Sequence, residues 1–245
     1  MKCSICLATY NGEKYIQELL NSILCQIDIN DEIIVSDDYS TDNTLTIIRS
    51  FNDFRIKIFM NQGKRGVVNN FGNALKYASG DYIFLCDQDD VWFSNKKNIC
   101  ISYLDDADLI VTDCSVTDKD LNIIYPSLFE IGNPGSGFWK NWYKNTYVGA
   151  NICFKRKLLD IVLPIPSILP VYHEGWIASL ADIVGVVKFV PITCLYYRRH
   201  DNNTSCTLSG KGLPIMRKIY NRVLLLLLVM CRLYKICLYL KIKSF

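Results

Sequence analysis

Three carboxylates crowd into Asp87-Gln88-Asp89-Asp90, directly after the apolar run Tyr82-Ile83-Phe84-Leu85-Cys86. Acids this close repel one another, and a hard divalent cation that also holds phosphate oxygens relieves the repulsion most directly. The chemistry these residues predict is a metal ion facing a phosphorylated ligand. An isolated D-x-D is more often a solvated turn, so the argument rests on what surrounds it. The apolar run is short, begins after Gly80 and stops at Asp87, which reads as an inner strand of a mixed or parallel sheet. In such sheets ligands bind where strands end.

The preceding chain supplies matching elements. Residues 2–8 read as a strand, the Asn11-Gly12-Glu13 turn follows, and Ile16, Leu19, Leu20 and Ile23 then recur at helical spacing. Glu32 to Ser36 is a second strand ending in Asp37-Asp38, after which Ser40 or Thr41 caps a helix bearing Leu45, Ile48 and Phe51. Arg55 to Met60 alternates as a strand, and Val67, Phe71, Ala74, Leu75 and Ala78 mark the helix leading into the central run. Ser94 caps another helix to about Leu104, and Asp108 to Thr112 is a further strand. Strands alternating with helices predict an α/β fold with a mostly parallel sheet. Its polar strand ends at residues 8–12, 37–42 and 87–92 would share one nucleotide-sized cleft. Beyond Asp113 the periodicity weakens. Loops and a short helix are expected to Asn145, a strand over residues 147–154 and a short helix over 155–163. A linker carrying Pro164, Pro166 and Pro170 precedes a helix to about Val184, and two strands are expected around Pro191 within 186–198.

Composition narrows the class. The 245 residues are 50% apolar and 21% charged, enough for one sizeable core. The net charge of +3 hides an asymmetry. All 24 acids lie at or before Asp201, whereas eight of the 27 Lys and Arg follow it, leaving 19 cations against 24 acids, a net of −5, over residues 1–201. A nucleic-acid protein would carry its cations across the folded domain, so no nucleic-acid partner is expected. The eleven cysteines are odd in number and scattered. Met1 to Ala8 reads as a strand and not as a leader, so the thiols are expected reduced in the cytoplasm. Cys3 and Cys6 form C-x-x-C, but their odd spacing puts them on opposite faces of a strand, unfit for chelation. No dinucleotide or P-loop glycine fingerprint is present.

The strand-end motifs Ala8-Thr9-Tyr10-Asn11-Gly12, Asp37-Asp38-Tyr39-Ser40-Thr41-Asp42 and Asp87-Gln88-Asp89-Asp90-Val91-Trp92, with Gly72-Asn73-Ala74-Leu75 and Gly80-Asp81-Tyr82, closely resemble family 2 glycosyltransferases. These are inverting enzymes of GT-A fold that use nucleotide-diphosphate sugars. The likeness is strongest over about the first 115 residues. Within the family, D-Q-D-D-V-W with a later H-D-x-W and Y-R-x-H is most similar to bacterial rhamnosyltransferase-type enzymes of surface polysaccharide assembly. Here those later motifs read His173-Glu174-Gly175-Trp176 and Tyr197-Arg198-Arg199-His200, with Glu in place of Asp.

The resemblance implies a division into a GT-A domain over residues 1–205, with a nucleotide-sugar half to residue 115 and an acceptor half from 116, and a tail over 206–245. It implies transfer of rhamnose or another hexose to a lipid-linked or polysaccharide acceptor, with Mg2+ or Mn2+ as cofactor. Thr9 and Tyr10 would line the base pocket, Asp38 would accept from the pyrimidine N–H, and Asn11, Gln88 and Trp176 would join the donor-binding set. Asp87 would face the ribose or the sugar, Arg198 the diphosphate, and Asp89 the metal. His200 would be a further metal ligand or a phosphate contact, and His173 would orient acceptor hydroxyls or cap its helix. A single displacement also needs a carboxylate across the cleft, from a later segment. Of Asp160, Glu174, Asp182 and Asp201, Glu174 occupies the acid position of H-D-x-W. It starts a helix, whose positive end is expected to favour its ionised form. A sugar nucleotidyltransferase would share the paired acids but needs a glycine-rich phosphate loop near residue 10, and an inactive donor-binding protein would bind without turnover.

The tail has nine uninterrupted apolar residues over 223–231, too few for a span, which needs about 20. At about 100° per residue, Arg217, Lys218, Arg222, Arg232 and Lys235 fall within an arc of roughly 140°. A basic stripe on an apolar helix predicts peripheral binding at the inner face of the cell membrane, or packing on the domain or on a second copy as a homodimer.

Overall fold

The computed structural model describes residues 1–169, 173–200 and 214–243. The alternating segments fold as β1 (Cys3–Thr9), α1 (Ile16–Leu24), β2 (Glu32–Asp37), α2 (Thr44–Ser50), β3 (Ile56–Met60), α3 (Val67–Tyr77) and β4 (Tyr82–Asp87). The four strands pair in parallel in the order β3-β2-β1-β4. Register sets Thr9 beside Asp37 and Ala8 beside Asp87, so the polar strand ends emerge along one edge. Alternation sends Cys3, Ile5 and Leu7 into the core under α1, and Cys6 and Ala8 into the core with Phe71, Ala74 and Leu75 of α3. Cys3 and Cys6 are thus buried free thiols on opposite faces, as their spacing requires.

The second half adds β5 (Val91–Trp92), α4 (Lys96–Leu104), β6 (Leu109–Thr117), β7 (Ile123–Tyr125), α5 (Leu128–Gly132), α6 (Phe138–Tyr143), β8 (Ile152–Lys155), α7 (Leu159–Val162), α8 (His173–Val184), β9 (Val187–Arg198) and α9 (Ile215–Lys243). The sheet continues β4-β8-β6-β9-β5, with β7 on β6 and β8 antiparallel to both its neighbours.

Three expectations are corrected here. Strand β6 runs to Thr117 and not Thr112, because the polar Asp113 is satisfied from afar: its carboxylate accepts from Leu128 N at 3.0 Å, Phe129 N at 3.1 Å and the Ser127 hydroxyl at 2.5 Å. It thereby anchors the start of α5, in a region that carries a strand and two helices. The strand expected over 147–154 is only β8, since residues 149–151 form a 3-10 turn. Residues 187–198 form one strand and not two. Pairing with β6 jumps from Thr112–Val190 to Asp113–Thr193, so Pro191 sits in a bulge where its missing N–H costs no ladder bond.

The tail helix α9 packs on the domain. Leu225 and Val229 are buried in the same core as Trp176. The Trp142 indole donates to Arg222 O at 2.9 Å, Arg222 donates to Tyr143 O, and Arg232 donates to Leu163 O and Pro164 O with its guanidinium over the Trp176 ring. Two of the five cations of the expected membrane stripe therefore face the domain. Among the described residues no helix is long and apolar enough to cross a membrane.

Candidate active site

The cleft floor is the row of ends of β1, β2 and β4, and short polar bonds fix its shape. After β1 the chain turns through Asn11 at φ 49, and after β2 through Tyr39 at φ 64, where a bulky residue is strained. Asn11 joins the two turns: its N–H donates to Ser40 Oγ at 2.9 Å and its Oδ1 accepts from Thr41 N at 2.8 Å. Tyr10 and Tyr39 stand exposed at the rim.

Several residues expected to bind the donor are engaged in building the site. Thr9 is fully buried and its hydroxyl donates to Asp37 at 2.8 Å, supporting the cleft wall from behind. Gln88 accepts from Tyr10 N at 2.9 Å and donates to Tyr10 O at 3.0 Å, which uses both ends of its amide as a latch between β1 and β4. Gly12 permits that latch, since a Cβ there would meet Gln88 Oε1 at 2.4 Å. Asp38 is buried, accepting from Asn61 Nδ2 at 2.8 Å and Gly66 N at 2.7 Å. These bonds hold the 61–66 loop and leave carboxylate lone pairs for a base. Trp176 is fully buried with its indole on Val162 O at 2.9 Å, a core residue and not a cleft-lining one.

Arg198 is likewise structural. Its Nε donates to Asp89 O at 2.8 Å, Nη1 to Lys119 O at 2.6 Å and Nη2 to the Glu18 carboxylate, while the guanidinium lies over the Tyr15 ring at 4.6 Å. Its backbone N–H donates to Asp90 Oδ1 at 3.1 Å. A buried guanidinium so engaged clamps the acidic loop and is unavailable to a diphosphate. The short β5–β9 pairing, with Val91 opposite Tyr196 and Trp92 opposite Leu195, brings the two motifs together.

That pairing sets His200 against Asp89, with Nε2 2.8 Å from Oδ2 and the imidazole stacked on Tyr15 at 5.0 Å. Asp87, Asp89 and Asp90 stay crowded. Burial, reinforced by the charge of Asp89, pushes the Asp87 carboxyl up to about 7 and Asp90 well above the usual range. Asp90 Oδ2 is buried without a hydrogen-bond donor. Lys96 opposes this. Buried at 1% exposure, its ammonium donates to Ala150 O at 2.6 Å and lowers both acids. Sequence reasoning missed Lys96, Glu18 and Tyr15, which carry no local signal because a lysine or glutamate on a helix normally points outward. Among the described residues no three His, Cys, Asp or Glu form a ready-made metal cage. The crowded carboxylates, with the orphaned Asp90 Oδ2, nevertheless fit a hard divalent cation that keeps water and phosphate oxygens in its shell.

Glu174 stands at the start of α8, buried, with a carboxyl pushed up to about 8 by burial and by the charge of Asp87. The expectation that the helix terminus would favour its ionised form is corrected: desolvation outweighs the dipole. His173 stacks on Phe71 at 3.7 Å and is held neutral by burial, its pKa pushed down to about 3. Its Nδ1 lies 3.5 Å from Glu174 Oε2, too long for a hydrogen bond and no ion pair. Of the competing late acids, Asp160 is exposed on α7 and Asp182 accepts from Gly137 N and the Tyr147 hydroxyl. Asp201 lies outside the described residues, as do the linker after His200 and Pro170.

Comparison with known proteins gives the family and the fold. The chain is 42% identical over 225 residues to a dTDP-rhamnosyl transferase of Shigella flexneri, covering 80% of this chain and 72% of that one. It is 36% identical to an abequosyltransferase of Salmonella typhimurium over 72% of this chain and 54% of the relative. It is 41% identical over 101 residues to a β-1,3-glucosyltransferase of Escherichia coli, 41% of this chain and 40% of the relative. The chain thus spans 40% to 72% of the length of these relatives. In fold it matches Staphylococcus aureus TarS in complex with UDP-GlcNAc, with TM-score 0.65 and 22% identity over 87% of this chain and 62% of that one. It also matches a mannosyltransferase of Pyrobaculum calidifontis in complex with GDP-Man and Mn2+, with TM-score 0.62 and 18% identity over 90% and 67%. The sheet and its flanking helices are those of GT-A glycosyltransferases, and residues 4–162 match the glycosyl transferase family 2 domain: the chain belongs to that family.

Proposed function

We propose that the chain transfers a sugar, rhamnose or another hexose, from a nucleoside-diphosphate donor to a glycan acceptor of cell-surface polysaccharide assembly, with inversion at the anomeric carbon. The observation that carries this reading is the cleft itself, with Asp87 and Asp89 at one strand end beside the β1 and β2 ends, His200 set against Asp89, and the buried Glu174 at the start of α8. Support for the donor class comes from the neighbours solved with UDP-GlcNAc and GDP-Man, and for a lipid-linked acceptor from the Escherichia coli β-1,3-glucosyltransferase relative, whose acceptor is α-D-GlcNAc-diphosphoundecaprenol. The family argues against the nucleotidyltransferase alternative.

Tyr10 offers a ring to the base, and Asp38 a lone pair to its N–H. Asp87 faces the ribose or sugar. Asp89, with His200, would hold Mg2+ or Mn2+, which when bound would supply Lewis-acid neutralisation of the diphosphate. Glu174, once deprotonated, takes the proton of the acceptor hydroxyl as that oxygen bonds to the anomeric carbon. The bond from that carbon to the diphosphate oxygen breaks, its electron pair leaving with the nucleoside diphosphate. One displacement from the opposite face inverts the configuration. The acceptor is lipid-linked, and the enzyme works on the cytoplasmic side of the membrane that carries it. A thermal-shift panel of nucleotide sugars with and without Mn2+ tests the reading, since a ligand bound only by the native state raises its stability. Stabilisation by one nucleotide sugar that requires the metal is expected, and indifference to the whole panel would remove the donor assignment.

A further inference from the structure

The face of α9 turned away from the domain is apolar over residues 216–234. Met216, Tyr220, Val223, Leu227, Met230 and Tyr234 recur at alternating steps of four and three residues, and each is 49% to 73% exposed. At about 100° per residue they fall within an arc of roughly 80°. Leu225 and Val229, on the opposite face, are 5% and 1% exposed against the domain. The outward stripe of a helix packed on a domain is ordinarily polar, yet this one is apolar and open. Beside it, the rings of Trp139 and Tyr143 on α6 are 67% and 68% exposed, with the Arg222 guanidinium over Tyr143 at 4.8 Å.

Charge decides the occupant. Arg217 and Lys235 are exposed and lie together on one flank of the seam, about 100° from its centre. No acid follows Asp201. A second copy docking seam to seam would bring the same cations and no carboxylate on its own α9 to meet them. We propose that this seam, with the aromatic rim of α6, lies in the headgroup layer of an anionic lipid bilayer. Apolar side chains and aromatic rings enter the acyl boundary while Arg217 and Lys235 meet lipid phosphates. The attachment differs from the basic stripe that the sequence pattern predicts, because Arg222 and Arg232 are spent on the domain's own carbonyls. Its purpose rests on the transferase reading. Helix α9 packs on α8, whose first turn carries Glu174, so seating α9 on the bilayer holds the acceptor side of the cleft beside lipid-linked glycan.

Flotation of the full chain with vesicles tests this, one set containing phosphatidylglycerol and the other phosphatidylcholine alone. The full chain is expected to float with the anionic set and much less with the neutral one. Replacing Val223, Leu227 and Met230 together by Gln should weaken flotation at least tenfold on either. Replacing Arg217 and Lys235 by Gln should weaken it roughly 25-fold on anionic vesicles, about fivefold per cation, and leave neutral vesicles unaffected. All five side chains are exposed or flanking, so both variants should keep the melting temperature, the donor-induced thermal shift and transfer to a soluble acceptor analogue. Those readouts separate failure of the lipid face from failure of the transferase reading. Absence of flotation, equal binding to both vesicle sets, or a sedimenting dimer that the apolar triple variant dissociates would each overturn the proposal.

Discussion

Glu174→Gln keeps the size and shape of a buried side chain and removes the oxygen that would take the acceptor's proton. With its carboxyl pushed from 4.5 up to about 8, about one molecule in ten carries the base form at pH 7. The pH dependence of kcat/KM reports the free enzyme. It should therefore climb about tenfold per pH unit from pH 6 and level off near 8, read as nucleoside diphosphate released from donor and acceptor analogue. Glu174→Gln should cost about 10²-fold or more in transfer, the scale of a positioned base, while donor thermal shift is unchanged. The same burial links Glu174 to stability. Its folded pKa lies above the unfolded value, so its stabilising contribution is full below pH 4.5, declines as pH rises and is gone above about 8. At pH 7 the loss is on the order of 3 kcal/mol. The Gln variant has no proton to lose, so it should melt higher than the parent at pH 8 but not at pH 5. A flat rate profile between pH 6 and 9, or near-normal turnover in Glu174→Gln with the loss falling on Asp182→Asn, would show the base to be elsewhere.

Asp89→Ala should abolish transfer and the metal-dependent part of donor stabilisation while the unfolding transition stays cooperative, and metal-dependent donor binding that survives in calorimetry would remove Asp89 from the ligand set. Asp38→Ala should weaken base binding and, by freeing Asn61 and Gly66, cost about 1–3 kcal/mol in denaturant unfolding; unchanged stability would mean that the 61–66 loop is held otherwise. Arg198→Met should lower both stability and metal affinity, because the clamp on the Asp89 carbonyl and Glu18 is lost; a variant that loses only diphosphate affinity would restore Arg198 to a direct contact. Gly12→Ala should displace the Gln88 amide from the Tyr10 backbone and weaken donor binding, and unaltered donor titration would detach that latch from the site.

The sequence by itself determined the nucleotide half. Each of β1, β2 and β4 is a local apolar run with its polar tip a few residues away, so both element and cleft-facing end can be read within a short window. Asp89 and His200 stand as metal ligands only through the family resemblance, and no local pattern in the sequence shows that the fold sets them 2.8 Å apart. Tertiary structure alone decided what each polar side chain faces. Arg198 reads as an exposed phosphate ligand until strand β9 carries it onto Glu18, 180 residues away, and Trp176 reads as a cleft residue until Val162 and α9 close over it. Asp113 looked like the end of a strand because its partners lie in the turn at 127–129. Glu174 is the sharpest case: its place at a helix start is local, but its protonation is set by the burial that the whole fold imposes, and desolvation exceeds what one helix terminus can offset. The outward seam of α9 is of the same kind, since helical spacing marks two apolar faces but only packing shows which one the domain leaves open.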